Sequence, residues 1–166
     1  GATCVREGQR HRRDPDHPAR NPMILNNEDE TAAFGARLAR VARAGDVITL
    51  EGPLGVGKTA FARGFIGALG HDGDVPSPSF AIVQPYEETE PPVWHVDLYR
   101  LENAAEIEEL GLDAAADAVL LVEWPERAGS AAWPDALGLS LSFAQDGERI
   151  LTAKVPPSWE GRWPPR

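Results

Sequence analysis

A single α/β domain, with a mostly parallel central sheet flanked by helices and a C-terminal hairpin, is the fold class this sequence predicts. Three observations predict it. Residues 52–59 read Gly-Pro-Leu-Gly-Val-Gly-Lys-Thr, a complete G-x-x-x-x-G-K-T phosphate-binding loop. A strand-like run, Asp46–Leu50, precedes the loop, and a helix-like run, Thr59–Leu69, follows it and is closed by Gly70. Strand, glycine loop and helix in that order are the context of a P-loop NTPase domain. Two more apolar runs each end in an acid, Val93–Val96 into Asp97 and Val119–Val122 into Glu123. Open α/β sheets bind ligands outside the carboxyl ends of their strands.

The elements follow in chain order. Residues 1–22 carry Arg6, Arg10, Arg12, Arg13 and Arg20 with almost no apolar side chains. They are expected to form a disordered basic arm, or a segment foreign to the natural chain, with Met23 an alternative start. Residues 23–155 are expected to be the folded ATPase domain, its first helix beginning near Asn27. Asn27 and Glu30 have the spacing of a capping pair. Phe34, Leu38 and Val41 repeat at helical spacing opposite Arg37, Arg40 and Arg43, and Gly45 suits the stop. After the loop helix, Val75-Pro-Ser-Pro-Ser-Phe80 reads as an ordered loop. Ala81–Tyr86 reads as a strand near an edge, Glu87–Pro92 as an acidic turn, and Ala104–Leu110 as a short helix. Leu137–Phe143 and Arg149–Val155 suit a hairpin around Asp146-Gly147. Residues 156–166 read as an irregular tail.

The loop residue types each have a reason. Gly52, Gly55 and Gly57 permit backbone conformations that a β-carbon resists. The backbone of Gly52, Leu54, Gly55, Val56, Gly57, Lys58, Thr59 and Ala60 is expected to surround the nucleotide phosphates, helped by the helix N-terminus. Lys58 supplies charge to the β- and γ-phosphates, and the Thr59 hydroxyl is placed for Mg²⁺. Of the strand-end acids Asp97 and Glu123, one is expected to hold the metal and the other to orient or deprotonate water. Glu123 follows the more deeply buried strand and is expected nearer the loop. His95 is expected to be a packed or hydrogen-bonded structural residue facing away from Asp97, and Trp124 either a shield over the acid or a structural residue. Thr31 and Arg149 are weak candidates to flank the base. The histidines and the single cysteine show no zinc-ligand spacing.

Composition narrows the class. A net charge of -10 argues against a general nucleic-acid-binding surface. Cys4 stands alone, so no intrachain disulfide is possible and a reducing compartment fits. No apolar run approaches the roughly 20 residues of a membrane helix. A soluble, cytoplasmic domain is the expectation.

The combination of motifs resembles the TsaE, or YjeE, family of bacterial P-loop ATPases. The matching stretches are Gly52–Thr59, Arg63-Gly-Phe65, Ala68-Leu-Gly70, Val75-Pro-Ser-Pro-Ser79, His95-Val-Asp-Leu-Tyr-Arg100, Glu109-Leu-Gly111 and Val122-Glu-Trp-Pro125, across roughly residues 28–154. The resemblance implies an ATPase, weak alone, that supports threonylcarbamoyladenosine formation at position 37 of tRNA. It implies TsaD and TsaB as protein partners, with tRNA reached through them, and ATP and Mg²⁺ as ligands. It makes Lys58, Asp97 and Glu123 the catalytic set, Thr59, Asp97 and Glu123 the metal group, and Ser77 and Ser79 the hydroxyls of a nucleotide-sensing switch loop. The chain departs from the family pattern at Ser79-Phe80, where Thr-Tyr is frequent, and at Ala60, where a second threonine is frequent. A nucleotide-gated binding module with incidental hydrolysis, or a small-molecule P-loop kinase, are the alternatives.

Overall fold

The structure, a computed structural model, describes residues 22–78, 82–129 and 131–166. The expectations for the basic arm before residue 22 and for Ser79 and Phe80 lie outside them. Seven strands form one sheet: β1 (Met23–Leu25), β2 (Val47–Glu51), β3 (Val83–Tyr86), β4 (Val93–Asp97), β5 (Val119–Glu123), β6 (Leu137–Phe143) and β7 (Arg149–Lys154). Their order is β1-β7-β6-β2-β5-β4-β3. The central run β6-β2-β5-β4 is parallel. Antiparallel strands extend it at both edges, β3 beside β4 and β7 then β1 beside β6. The carboxyl ends of β2, β4 and β5 therefore converge on one edge of the sheet.

Two α-helices, α1 (Glu28–Ala39) and α2 (Lys58–Ala68), pack on one face. Asn27 caps α1 by accepting from the Glu30 N–H at 2.9 Å. Glu30 returns the favour one residue earlier than the capping pair predicts, accepting from the Asn26 N–H at 3.0 Å. The helix ends at Ala39, before the predicted Gly45 stop, and irregular turns carry the chain on to a positive φ of 94° at Gly45. Phe34, Leu38, Phe61, Phe65 and Ile66 fill the space between the helices and the sheet residues Leu50, Leu121 and Leu139. Each such side chain contributes about 1.5–3 kcal/mol on full burial. The two helices cross at close range because Gly35 and Gly64 carry no side chain. A Cβ at Gly64 would stand 1.9 Å from the Ala32 carbonyl oxygen, and one at Gly35 would stand 2.4 Å from that of Phe61.

The opposite face is covered more thinly. Val96, Leu98, Leu120 and Val122 pack under Ile107, Leu110 and Leu112. These come from 3-10 segments at Ala104–Leu110 and Leu112–Ala115; the first is capped by Asn103. The terminal stretch 156–166 is irregular but seated. Trp159 is 1% exposed, and the Trp163 ring meets Phe34 edge-on at 5.7 Å. β1 is an element that sequence reading did not foresee. Three residues are too few to show a period, and they form a strand because β7 offers an edge.

Candidate active site

The phosphate loop is the turn between β2 and α2. Gly52 has φ 147°, and a Cβ there would lie 2.5 Å from the Leu141 carbonyl oxygen. Gly57 has φ 119° at the N-cap of α2. Both positions therefore demand glycine for conformation, and Gly52 demands it for close approach as well. Thr31 stands beside the loop, its methyl 3.5 Å from where a Cβ on Gly57 would lie, and its hydroxyl donates to the Asn27 carbonyl at 3.2 Å. Arg149 supports it from the side, donating Nε–H to the Val56 carbonyl at 2.8 Å.

A cleft of about 390 Å³ opens in front of the loop, lined by Leu54, Gly55, Gly57, Lys58, Thr59 and Ala60 on one side. Ser77, Asp97, Glu123 and Trp124 face them. The predicted site residues among those described are thus brought together, with two distinctions. The Val56 side chain is fully buried in the core, and Gly52 turns its carbonyl to Lys58. Thr31 and Arg149 brace the loop and are not among the lining residues.

Asp97 and Glu123 are register partners at the ends of neighbouring parallel strands, and Glu123 also pairs with Leu50 of β2. Glu123 is accordingly the acid nearer the loop strand, as expected. Asp97 accepts from the Ser77 hydroxyl at 3.0 Å and from the Tyr99 N–H at 2.9 Å. The loop beginning at Val75 is therefore tied to a strand-end acid.

His95 differs from expectation. It lies two residues before Asp97, so the pleat puts both on the same face. Its Nε2 is 2.7 Å from Glu123 Oε2, in a fully buried contact. The diagonal register of β4 and β5 carries this contact, and sequence distance gives no sign of it.

Lys58 is 5% exposed. Its Nζ donates to the Gly52 carbonyl and sits 3.7 Å from the Trp124 ring centroid. Burial pushes its ammonium below the ordinary lysine range, opposed by the charges of Glu123, Asp97 and Glu126. Trp124 reaches this place because its own backbone is left-handed, φ 58° and ψ 49°. The Tyr99 ring lies beside it at 4.8 Å, tilted by 49°, and Arg127 lies 5.5 Å over Tyr99. The shielding role foreseen for Trp124 was directed at the acid; the contact here is with Lys58. Hydroxyl and carboxylate groups of Thr59, Asp97 and Glu123 in one cleft are hard oxygen donors, the set that suits Mg²⁺.

A strand–glycine loop–helix unit with acids on the adjoining parallel strands defines a P-loop NTPase domain. The family profile described as "Threonylcarbamoyl adenosine biosynthesis protein TsaE" matches residues 25–151, and the chain belongs to this family. Among curated relatives it is 41% identical over 128 residues to a "tRNA threonylcarbamoyladenosine biosynthesis protein TsaE" of Bacillus subtilis (strain 168), covering 76% of this chain and 80% of that protein. The protein of the same name from Streptomyces coelicolor is 47% identical over 97 residues, 56% of this chain and 66% of its own length. The crystal structure of Bacillus subtilis YdiB superposes with a TM-score of 0.74 at 33% identity, covering 88% of this chain and 93% of that one. Among the described residues, no helix is long and apolar enough to cross a membrane.

Proposed function

We propose that this protein binds Mg-ATP in the cleft, hydrolyses it, and thereby supports threonylcarbamoyladenosine modification of tRNA position 37. The observation that carries the reading is the register pair Asp97–Glu123 standing opposite Lys58 and Thr59 in one cleft. Lys58 binds the β- and γ-phosphates once its present contacts yield. Thr59, Asp97 and Glu123 would hold Mg²⁺, which when bound offsets phosphate charge. Glu123 orients or deprotonates the attacking water, and Asp97 steadies the metal side while holding the Ser77 loop. The loop 75–80 is the switch: its Ser77 hydroxyl bonds an acid that faces the phosphates.

The partners in this reading are TsaD and TsaB, in the cytoplasm, with tRNA reached through them. A net charge of -10 disfavours direct tRNA capture by the domain alone. Reconstitution is the test. With TsaD, TsaB and tRNA present, omission of the chain should stop modification after the first cycles, and the partners should raise the ATPase rate. Modification that continues equally for many cycles without the chain defeats the reading. Rapid phosphorylation of a small molecule by the chain alone replaces it with the kinase alternative.

A further inference from the structure

We infer that His95 is the positioning residue for Glu123: it holds one carboxylate oxygen so that the other is presented to the cleft. The inference rests on the ATPase reading above, and it adds a residue which that reading does not use. Glu123 lines the cleft, yet its side chain is only 4% exposed. A glutamate at the end of a strand has three rotatable bonds, and useful geometry at a reacting centre requires that they be fixed. The Nε2···Oε2 contact of 2.7 Å fixes them. It crosses from β4 to β5 diagonally, His95 being level with Leu121 and Glu123 with Asp97. Long side chains reach such diagonal neighbours.

The tautomer follows from the partner. A carboxylate oxygen accepts, so the ring presents Nε2–H to it. In the neutral ring Nδ1 is then an acceptor, and it is a buried ring atom that finds no partner among the described residues. A buried polar atom left unpaired is costly. A side chain filling the same space for packing alone would be better apolar. What the imidazole offers in return is the donor on its other nitrogen, aimed at Glu123.

The two flanking groups serve other atoms. Lys58 is engaged by the Gly52 carbonyl and the Trp124 ring, and Asp97 by Ser77 and the Tyr99 N–H.

The test uses the full chain with its partner proteins. In His95→Gln the side-chain amide reaches as far as Nε2; in His95→Asn it falls one methylene short; His95→Leu removes the donor. His95→Asn and His95→Leu should lower kcat about 10–100-fold, with the Kd of a non-hydrolysable ATP analogue within about threefold of wild type. His95→Gln should stay within about threefold in both. Adding His95→Asn to Glu123→Gln should cost nothing further, since the two changes disable one unit. Wild-type kcat in His95→Asn, or losses that multiply in the double variant, overturns the inference. If His95→Leu does not fold, the Gln and Asn pair decides. A wild-type chain without hydrolysis defeats the ATPase reading instead. The contact itself is then read by ring nitrogen NMR: an Nε2–H resonance that shifts in Glu123→Gln supports it, and one that does not move overturns it.

Discussion

The Lys58 ammonium lies 3.7 Å from the centre of the Trp124 ring while donating to the carbonyl of Gly52. The side chain expected to meet phosphate is thus held within the protein, between a π-face and the first glycine of its own loop. Cation–π contacts of this kind contribute about 0.5–2 kcal/mol. On the proposed function a triphosphate would offer more, and nucleotide would exchange this contact for its own.

Nucleotide binding should therefore change the surroundings of Trp124. ATP should alter tryptophan emission, and Trp124→Phe should remove most of that change while keeping affinity within about threefold, because Phe retains a π-face. Lys58→Ala should weaken ATP binding about 10–100-fold, the worth of charge-assisted hydrogen bonds to phosphate. Fluorescence titration measures both. An unaltered ATP affinity in Lys58→Ala would remove the loop from the site.

Glu123→Gln keeps the shape of the side chain and its place beside His95 but removes the basic oxygen. Turnover should fall about 10²–10⁴-fold if Glu123 is the general base. Asp97→Asn replaces an oxygen that accepts from Ser77 or the Tyr99 N–H with a donor. It should raise the Mg²⁺ needed for half-maximal rate about tenfold, by analogy with other disrupted metal-site supports. An ordinary magnesium titration in this variant would count against Asp97 as a metal-side group.

These residues were legible in the sequence because their signals are local. The loop is a contiguous pattern, and Asp97 and Glu123 announce themselves by ending apolar runs. The central strands were legible for the same reason, as were the edge position of β3 and the hairpin turn at Asp146-Gly147. The contacts that organise the site were not. His95–Glu123 depends on the register of β4 and β5, Arg149–Val56 joins residues 93 apart, and Trp124 meets Lys58 through a left-handed backbone no pattern marks. The end of α1 was misplaced because Val41 continues the helical spacing while the backbone already turns at Arg40.

Gly64 and Gly67 lie three residues apart on α2 and should respond to alanine with opposite signs. In an open helix position the change gains up to about 1 kcal/mol. Gly67 has open space around it, so Gly67→Ala should stabilise by about that amount. At Gly64 the new Cβ would meet the Ala32 backbone at 1.9 Å, which no rotamer relieves. Gly64→Ala should cost at least about 3 kcal/mol by forcing α1 and α2 apart. Chemical denaturation of the two variants decides, and equal effects would mean that the helix crossing is not set by glycine.

His71 and Glu88 form a latch at the foot of the Val75 loop, with Nδ1 2.7 Å from the carboxylate and Nε2 3.1 Å from the Asp74 carbonyl. The Glu88 hydrogen bond raises the His71 pKa above its ordinary 6.5, helped by the Asp74 carbonyl and by the charges of Glu88 and Asp72. The same bond lowers Glu88 below its ordinary 4.5. The raised histidine stabilises the fold fully below pH 6.5 and loses that contribution as pH rises through its folded value. The lowered carboxylate stabilises above pH 4.5 and loses its contribution as pH falls through its own. Both act together between those limits. The melting-temperature gap between wild type and Glu88→Gln should therefore be widest between pH 4.5 and 6.5 and narrow as pH rises through the folded His71 value. A gap independent of pH would show that the pair contributes no linkage.

The stretch after Val155 should prove structural. Arg162 reaches back to Asp46 with both guanidinium ends, 2.8 and 3.1 Å, and also donates to the Val41 and Ser158 carbonyls. Its guanidinium lies 3.8 Å over the Trp159 ring, and the ion pair is close to fully buried, 9% and 11% exposed. Removing one member of such a pair leaves the other charged and unpaired, at about 3–5 kcal/mol. Arg162→Ala and Asp46→Ala should each cost that much, and the double variant should cost less than their sum because neither partner is then stranded. Trp159→Ala should cost about 3–5 kcal/mol through the cavity it opens under the sheet edge. ATP affinity measured below each variant's melting temperature should stay within about threefold, since these groups meet the end of β2 away from the loop. Additive losses at Arg162 and Asp46 would reduce the pair to two independent contacts, and a Trp159→Ala chain as stable as wild type would show that residues 156–166 add nothing to the core.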